Sequence, residues 1–269
     1  MTVFMDRLLA ARLEACDAHS LVEHIQARRA RDPAFPGATL AVAGGHALFS
    51  GSASPINFAA GIGLAGPVQP DELQAVEAFY EQRAAQAAFK LAPFADAGLW
   101  RLLRRRGYGP DSFLNAWVLP LPQGADHGAE PLPRGVEILA VGPERERIWA
   151  DTVSRGFDGF EPTPEDRAFL YGFRDSPSTT AFLLTLDGAP AAAGSVAIHK
   201  GVAMLLNAAT LAPMRGRGFQ RWVIRWRLRF AARAGCDVAF VQATPGSPSQ
   251  RNIERAGFRL AYTKAMVER

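Results

Sequence analysis

The chain has 269 residues, 48% of them hydrophobic, enough apolar material for a large core in one or two domains. The formal charge of +4 is modest, and only three basic residues are lysines: Lys90, Lys200 and Lys264. With no run of ~18 apolar residues, a membrane-spanning chain is excluded, and the charge gives no sign of a nucleic-acid partner. Cys16 and Cys236 form no metal or redox spacing, so a reduced, cytoplasmic setting without a metal site is expected. The N-terminal stretch, with Asp6, Arg7, Arg12 and Glu14, reads as an amphipathic helix and not as a secretory signal.

Residues 5–30 read as one or two helices, interrupted near 17–20 and broken at 31–36. Short apolar runs follow at 38–43, 47–49 and 55–60, with Gly44 and Gly45 marking a hairpin. A glycine-rich run, 61–67, leads into a helix from Pro70 to about Arg83 with Asp71 and Glu72 in its first turn. A strand at 87–91, a helix at 95–106 and a strand at 113–119 complete this half. Residues 119–134, rich in proline and glycine, read as a linker. Beyond it, 136–141 is a strand, and Pro143 opens a helix to about Arg155. Residues 156–160 form a loop, and Thr163 starts a helix with a capping-box pattern. Strands at 181–186 and 191–199 are joined by a turn at Asp187 and Gly188. Lys200 and Gly201 then turn the chain into an apolar strand, 202–211.

From Phe219 a helix carries Phe219, Trp222, Val223, Trp226 and Phe230 on one face. Between that strand and this helix stand Pro213, Arg215, Gly216, Arg217, Gly218 and Gln220. A strand, a basic glycine turn and a helix aim unpaired N–H groups and a positive dipole end at one point, which suits a phosphate. The spacing does not match a Walker A loop, Gly-x-x-x-x-Gly-Lys-Ser/Thr. It also fails a dinucleotide fingerprint: Arg221 stands at the third glycine position, and Asp237 begins a strand where the acid should end one.

Arg215-x-x-Gly218-x-Gln220 resembles the pyrophosphate loop of the GCN5-related N-acetyltransferases (GNAT), whose pattern is Gln/Arg-x-x-Gly-x-Gly/Ala. It departs at Gln220, where a larger residue either crowds the pyrophosphate or joins in binding it. Residues 248–258, ending in Gly257 and Phe258, with the strand 259–267, are similar to the family's final helix, corner and last strand. The resemblance implies an α/β (α+β) chain. The first half shows the same order of elements, so two tandem acyl-CoA N-acyltransferase (GNAT) folds are expected, each a mixed, mostly antiparallel sheet flanked by helices. The expected division is 1–119, a linker at 120–133, and 134–269. The first copy has no Arg-x-x-Gly and carries Asp71 and Glu72 at its loop helix, so it is expected to keep the fold and to have lost the cofactor.

By position, the resemblance puts the acetyl-CoA pyrophosphate on amides of Gly216, Arg217, Gly218, Phe219 and Gln220, beside Arg215. It pairs the Leu211 backbone with the pantetheine and brings Asn252 near the pantetheine arm or the sulfur. The implied reaction is direct acetyl transfer to a primary amine of a small-molecule or amino-acid-like acceptor. Residues 204–207 offer no acid, and Ile253 stands where some members carry a tyrosine; Tyr262 and Asn252 are the remaining catalytic candidates. Phe157, Asp158, Phe160 and Glu161 occupy a loop that often lines the acceptor pocket, though each also reads as an ordinary loop residue. His199 is expected at a surface turn, and Arg221, Arg225, Arg229 and Arg233 on a solvated helix face. Two alternatives stay open: a catalytically silent CoA-binding regulatory or assembly module, and aminoacyl transfer from tRNA, against which the loop argues. A monomer and a homodimer are both compatible, as is a longer acyl-CoA.

Overall fold

The computed structural model describes residues 4–122 and 131–269, apart from the side chain of Asp158. Most of the expected linker lies outside the described residues. One helix opens the fold, α1 (Arg7–Arg31). Asp6 caps it, accepting the Leu9 N–H at 2.8 Å. The break expected near 17–20 does not occur. Ser20 returns its hydroxyl to the Asp17 carbonyl at 2.9 Å, and the Asp17 carboxylate meets Lys90 and Lys264 at 2.7 and 2.8 Å. Tertiary partners thus outweigh weak helix propensity.

The first half continues with β1 (Ala38–Val42), β2 (Gly45–Phe49), β3 (Ala59–Ala60), α2 (Pro70–Glu81), β4 (Phe89–Leu91), α3 (Ala97–Arg105) and β5 (Gly109–Pro120). The second half begins with β6 (Val136–Ala140), α4 (Glu146–Asp158), α5 (Pro164–Asp175) and β7 (Thr179–Leu186). It ends with β8 (Ala189–His199), β9 (Val202–Thr210), α6 (Phe219–Arg233), β10 (Val238–Ala243), α7 (Pro248–Arg255) and β11 (Arg259–Glu268). From β1 to β5, and again from β7 to β11, the order is three strands, helix, strand, helix, strand. Asp187, Gly188, Lys200 and Gly201 all have positive φ, as two-residue hairpin turns of the primed type require. Helix α4 runs into the expected loop as far as Asp158 and stops at Gly159, whose φ is 75°.

The described strands form one eleven-stranded sheet in the order β1-β2-β3-β4-β11-β5-β10-β9-β8-β7-β6. The pairs β3–β4 and β9–β10, each spanning a loop helix, are parallel, and the other neighbours are antiparallel. The centre of this order, β4-β11-β5-β10, is an exchange. The last strand of the second half lies beside β4 of the first, and the last strand of the first half lies beside β10 of the second. Packing follows the exchange. Val267 of β11 is buried with Phe89, Leu73 and Leu99 of the first half, while Trp117 of β5 is buried with Trp222 and Phe258 of the second.

Helices α1, α4 and α5 cover one face, and α2, α3, α6 and α7 the other. Helix α1 spans both halves: Leu13 packs with Val202 and Phe240, and Ile25 with Leu48 and Phe173. Under it lies a buried polar cluster. Lys264 Nζ is 2.8 Å from Glu14 and from Asp17, Lys90 reaches Asp17, and the Tyr262 hydroxyl donates to Glu14 at 2.6 Å. Two of the chain's three lysines are here. Among the described residues no helix is long and apolar enough to cross a membrane.

Candidate functional site

The basic glycine turn is where the sequence places it. A short 3₁₀ turn, Ala212–Met214, leaves β9, and Gly218 at φ 80° starts α6 without any side-chain cap. The Arg221 amide donates to the Gly218 carbonyl at 3.1 Å, while the Phe219 and Gln220 amides before it have no acceptor within the helix, and no acid stands in that turn. At Gly216 (φ 76°) and Gly218 a Cβ would meet nothing within 4 Å, so the backbone is open to an approaching group. Arg215 works as a strut: its guanidinium donates to the Thr210 carbonyl at 3.3 Å and the Gly156 carbonyl at 2.9 Å. Arg217 lies over the Phe219 ring, and Phe219 is buried in the core. The Gln220 amide oxygen accepts the Thr210 hydroxyl at 3.1 Å, which draws this side chain toward β9. Leu211, expected to pair with pantetheine, carries two backbone hydrogen bonds of its own. Its N–H donates to Ala191 and its carbonyl accepts from Met214.

Next to this loop the sheet opens. Strands β9 and β10 pair from Val202 with Val238 to Leu205 with Val241, and no further. Strand β9 continues to Thr210 and β10 to Ala243. The cause is a bulge. Ala193 pairs with Ala209 and Ser195 with Leu206, so Asn207 and Ala208 oppose Gly194 alone, and Asn207 has φ 50°. Arg227 lies beneath it, wholly buried, and donates to the carbonyls of Ser195 and Leu206 at 3.1 Å each. It satisfies oxygens that a continuous ladder would have used. Burial lowers its guanidinium to about 9. Asn207 also donates to Ser195 Oγ at 3.1 Å.

On the α1 side, Asn207 lines a cavity of about 740 Å³. Arg28, Ser50 and Phe35 come to it from the first half, and Phe157, Phe169 and Glu165 from the second. Of the acceptor residues expected from sequence, Phe157 lines this cavity. Phe160 is exposed outside it, Glu161 pairs with Arg155 at 2.6 Å, and the Asp158 side chain lies outside the described residues. Arg28 and the segment 50–55 carry no signal that sequence reasoning can use, because only the fold brings them to β9. Asn207 does carry one: with Thr210 it is one of two polar residues in an otherwise apolar strand.

The Tyr262 hydroxyl is committed to Glu14 in the buried cluster, where burial and then the Glu14 charge raise it well above its ordinary range. Asn252 lies half-buried on α7. His199 is half-buried too, stacked on His19 with ring centroids 4.0 Å apart. The first half's counterpart of the glycine turn is closed. Arg7 donates to the carbonyls of Gly63 and Leu64, and Glu72 accepts the Gln69 N–H at the start of α2. An anion there would face Asp71 and Glu72.

No family model and no curated protein sequence matches the chain. Solved structures do. A GCN5-related N-acetyltransferase from Kribbella flavida superposes with a TM-score of 0.65 at 19% identity, over 94% of this chain and 95% of that one. A tandem GNAT protein from the clavulanic acid biosynthesis pathway gives 0.62 at 14% identity, over 97% of this chain and 92% of that one. A GCN5-related N-acetyltransferase from Sphaerobacter thermophilus gives 0.57 at 16% identity, over 79% and 71%. Two of these likenesses cover nearly the whole of both chains, so the chain has the tandem GNAT fold.

Proposed function

We propose that the protein is an N-acetyltransferase that moves the acetyl group of acetyl-CoA directly to a primary amine of a small, amino-acid-like molecule in the cytoplasm. The observation that carries this reading is one juxtaposition. The gap between β9 and β10 has the uncapped start of α6 at one end and, at the bulge, the cavity that Asn207 lines. Acetyl-CoA fits such a place. The amides of Gly216 to Gln220 suit its pyrophosphate, and an extended arm suits the unpaired stretch of β9. Bound there, it would supply the acetyl thioester.

The chain's own residues hold and orient the reactants. Arg215 ties the phosphate turn to α4, and Arg227 keeps the bulge, and so the gap, in place. The attacking amine must be neutral. Strand β9 offers Asn207 and no acid or histidine, so the amine's proton leaves through the cavity, and the rate rises with pH until the acceptor is neutral. A second reading, a silent CoA-binding module, draws on the commitment of Tyr262 to Glu14.

The test is calorimetric titration with acetyl-CoA of the native chain and of Gly218→Asp, followed by thiol release with an amine panel. Micromolar binding that the variant loses, with thiol release, supports the enzyme. Binding without release from any amine supports the silent module, and no binding by folded protein sinks both.

A further inference from the structure

In the last turn of α1, Arg28 is only 6% exposed, although it borders the cavity. Its placement is built. An added Cβ on Gly172 of α5 would stand 2.6 Å from Arg28 Cγ, so the stem fits only because that position is glycine. The guanidinium lies 3.8 Å from the Phe35 ring centroid, and Nη1 donates to Ser50 Oγ at 3.3 Å. Nη2 donates to Glu165 at 2.6 Å. A guanidinium has five N–H donors, and two are used here among the described residues.

A buried guanidinium is stabilised by an anion at hydrogen-bonding distance, and removing that anion is costly. The carboxylate it has is a loose one: the Glu165 side chain is 74% exposed, on the first turn of α5. The neighbouring charges are otherwise engaged. Asp166 accepts from Thr163, Asp32 accepts the Ala34 N–H at 3.0 Å, and Arg31 is paired with Glu146 and Asp175. Glu165 gives up little by returning to water, whereas Arg28 cannot be left without a partner.

We infer that the acceptor carries a carboxylate beside its amine, and that Arg28 selects it by exchanging Glu165 for it. This rests on the acyltransferase reading of the cavity. The incoming carboxylate lies in the plane of the guanidinium and takes two parallel N–H bonds, which an amide or an alcohol does not match. The amine beside that carboxylate is left facing the part of the cavity that Asn207 lines. The first half, without a cofactor turn of its own, thereby supplies the specificity of the second half's site.

The experiment is calorimetric titration of the full chain with amino acids and their carboxamides, which share the amine but lack the carboxylate. The native chain, Arg28→Lys, Arg28→Met and Glu165→Gln are compared, and each is also titrated with acetyl-CoA. The native chain is expected to prefer acids over amides by roughly tenfold or more, the scale of a charge-assisted bond. Arg28→Met abolishes that preference, Arg28→Lys reduces it, and Glu165→Gln strengthens acid binding while leaving amides unchanged. Two results overturn the inference: no acid preference anywhere in the panel, or a preference that survives Arg28→Met. Should Arg28→Met fail to fold, the exposed Glu165→Gln decides alone, and no gain for acids is then the overturning result. Acetyl-CoA binding without acid preference removes this inference and leaves the acyltransferase reading. Acid preference without acetyl-CoA binding does the reverse.

Discussion

Lys264→Met tests the buried cluster that joins the start of the chain to its end. Lys264 is fully buried and lies 2.8 Å from both Glu14 and Asp17, which are themselves buried. Without it Lys90 still pairs with Asp17, while among the described residues Glu14 keeps only the Tyr262 hydroxyl. Breaking a buried pair from one side costs about 3–5 kcal/mol. Unfolding entropy for 269 residues is about 0.56 kcal/mol/K, so the melting midpoint should fall by about 5–9 °C. Adding Glu14→Gln removes the stranded charge while leaving Asp17 and Lys90 paired, and should recover much of the loss. The assay is thermal and urea unfolding of the native chain, both single variants and the double variant at pH 7. Losses that simply add would show that the two groups are not coupled and refute the reasoning. Burial alone would raise the Asp17 carboxyl, but Lys264 and Lys90 hold it well below its ordinary range. Its contribution is therefore present above about pH 4 and drains away as the pH falls further.

His24 predicts a second pH dependence. Neither ring nitrogen has a hydrogen-bond partner among the described residues, and burial, helped by Arg28, pushes the imidazole down to about 3. The unfolded chain binds the proton first, so stability is full above about pH 6.5 and should be about 2 kcal/mol lower at pH 5. His24→Phe, between Phe169 and Phe173, should flatten that slope in denaturant titrations; an unchanged slope points to another group. Asn207→Gly should leave stability within about 0.5 kcal/mol, while Asn207→Val, forced to a positive φ, should cost about 1–3 kcal/mol. Equal melting points for the two would show that the bulge stores no strain. Residues 131–269 expressed alone lack β5, which pairs with both β10 and β11, and should not give a cooperatively melting monomer unless 1–122 is co-expressed. A stable, monomeric fragment would show that the exchange is dispensable.

The sequence alone determined the order of elements, because each signal is local. Apolar period, the turn pairs Asp187–Gly188 and Lys200–Gly201, the Thr163 cap and the glycine turn before α6 all act within a few residues. The same locality explains the misses. A break in α1 near Asp17 is what propensity favours, and only Lys90 and Lys264, distant in sequence, supply the partners that cancel it. The contacts of the Tyr262 hydroxyl with Glu14 and of the Leu211 N–H with Ala191 are likewise made with residues distant in sequence.

Only the tertiary structure decided that the two halves share one sheet by exchanging their last strands. It alone brought Arg28, the segment 50–55 and Asn207 to one cavity. The physical reason is range. A helix or a turn is fixed by neighbours a few positions away, whereas strand order and the walls of a cavity depend on which distant surfaces bury each other.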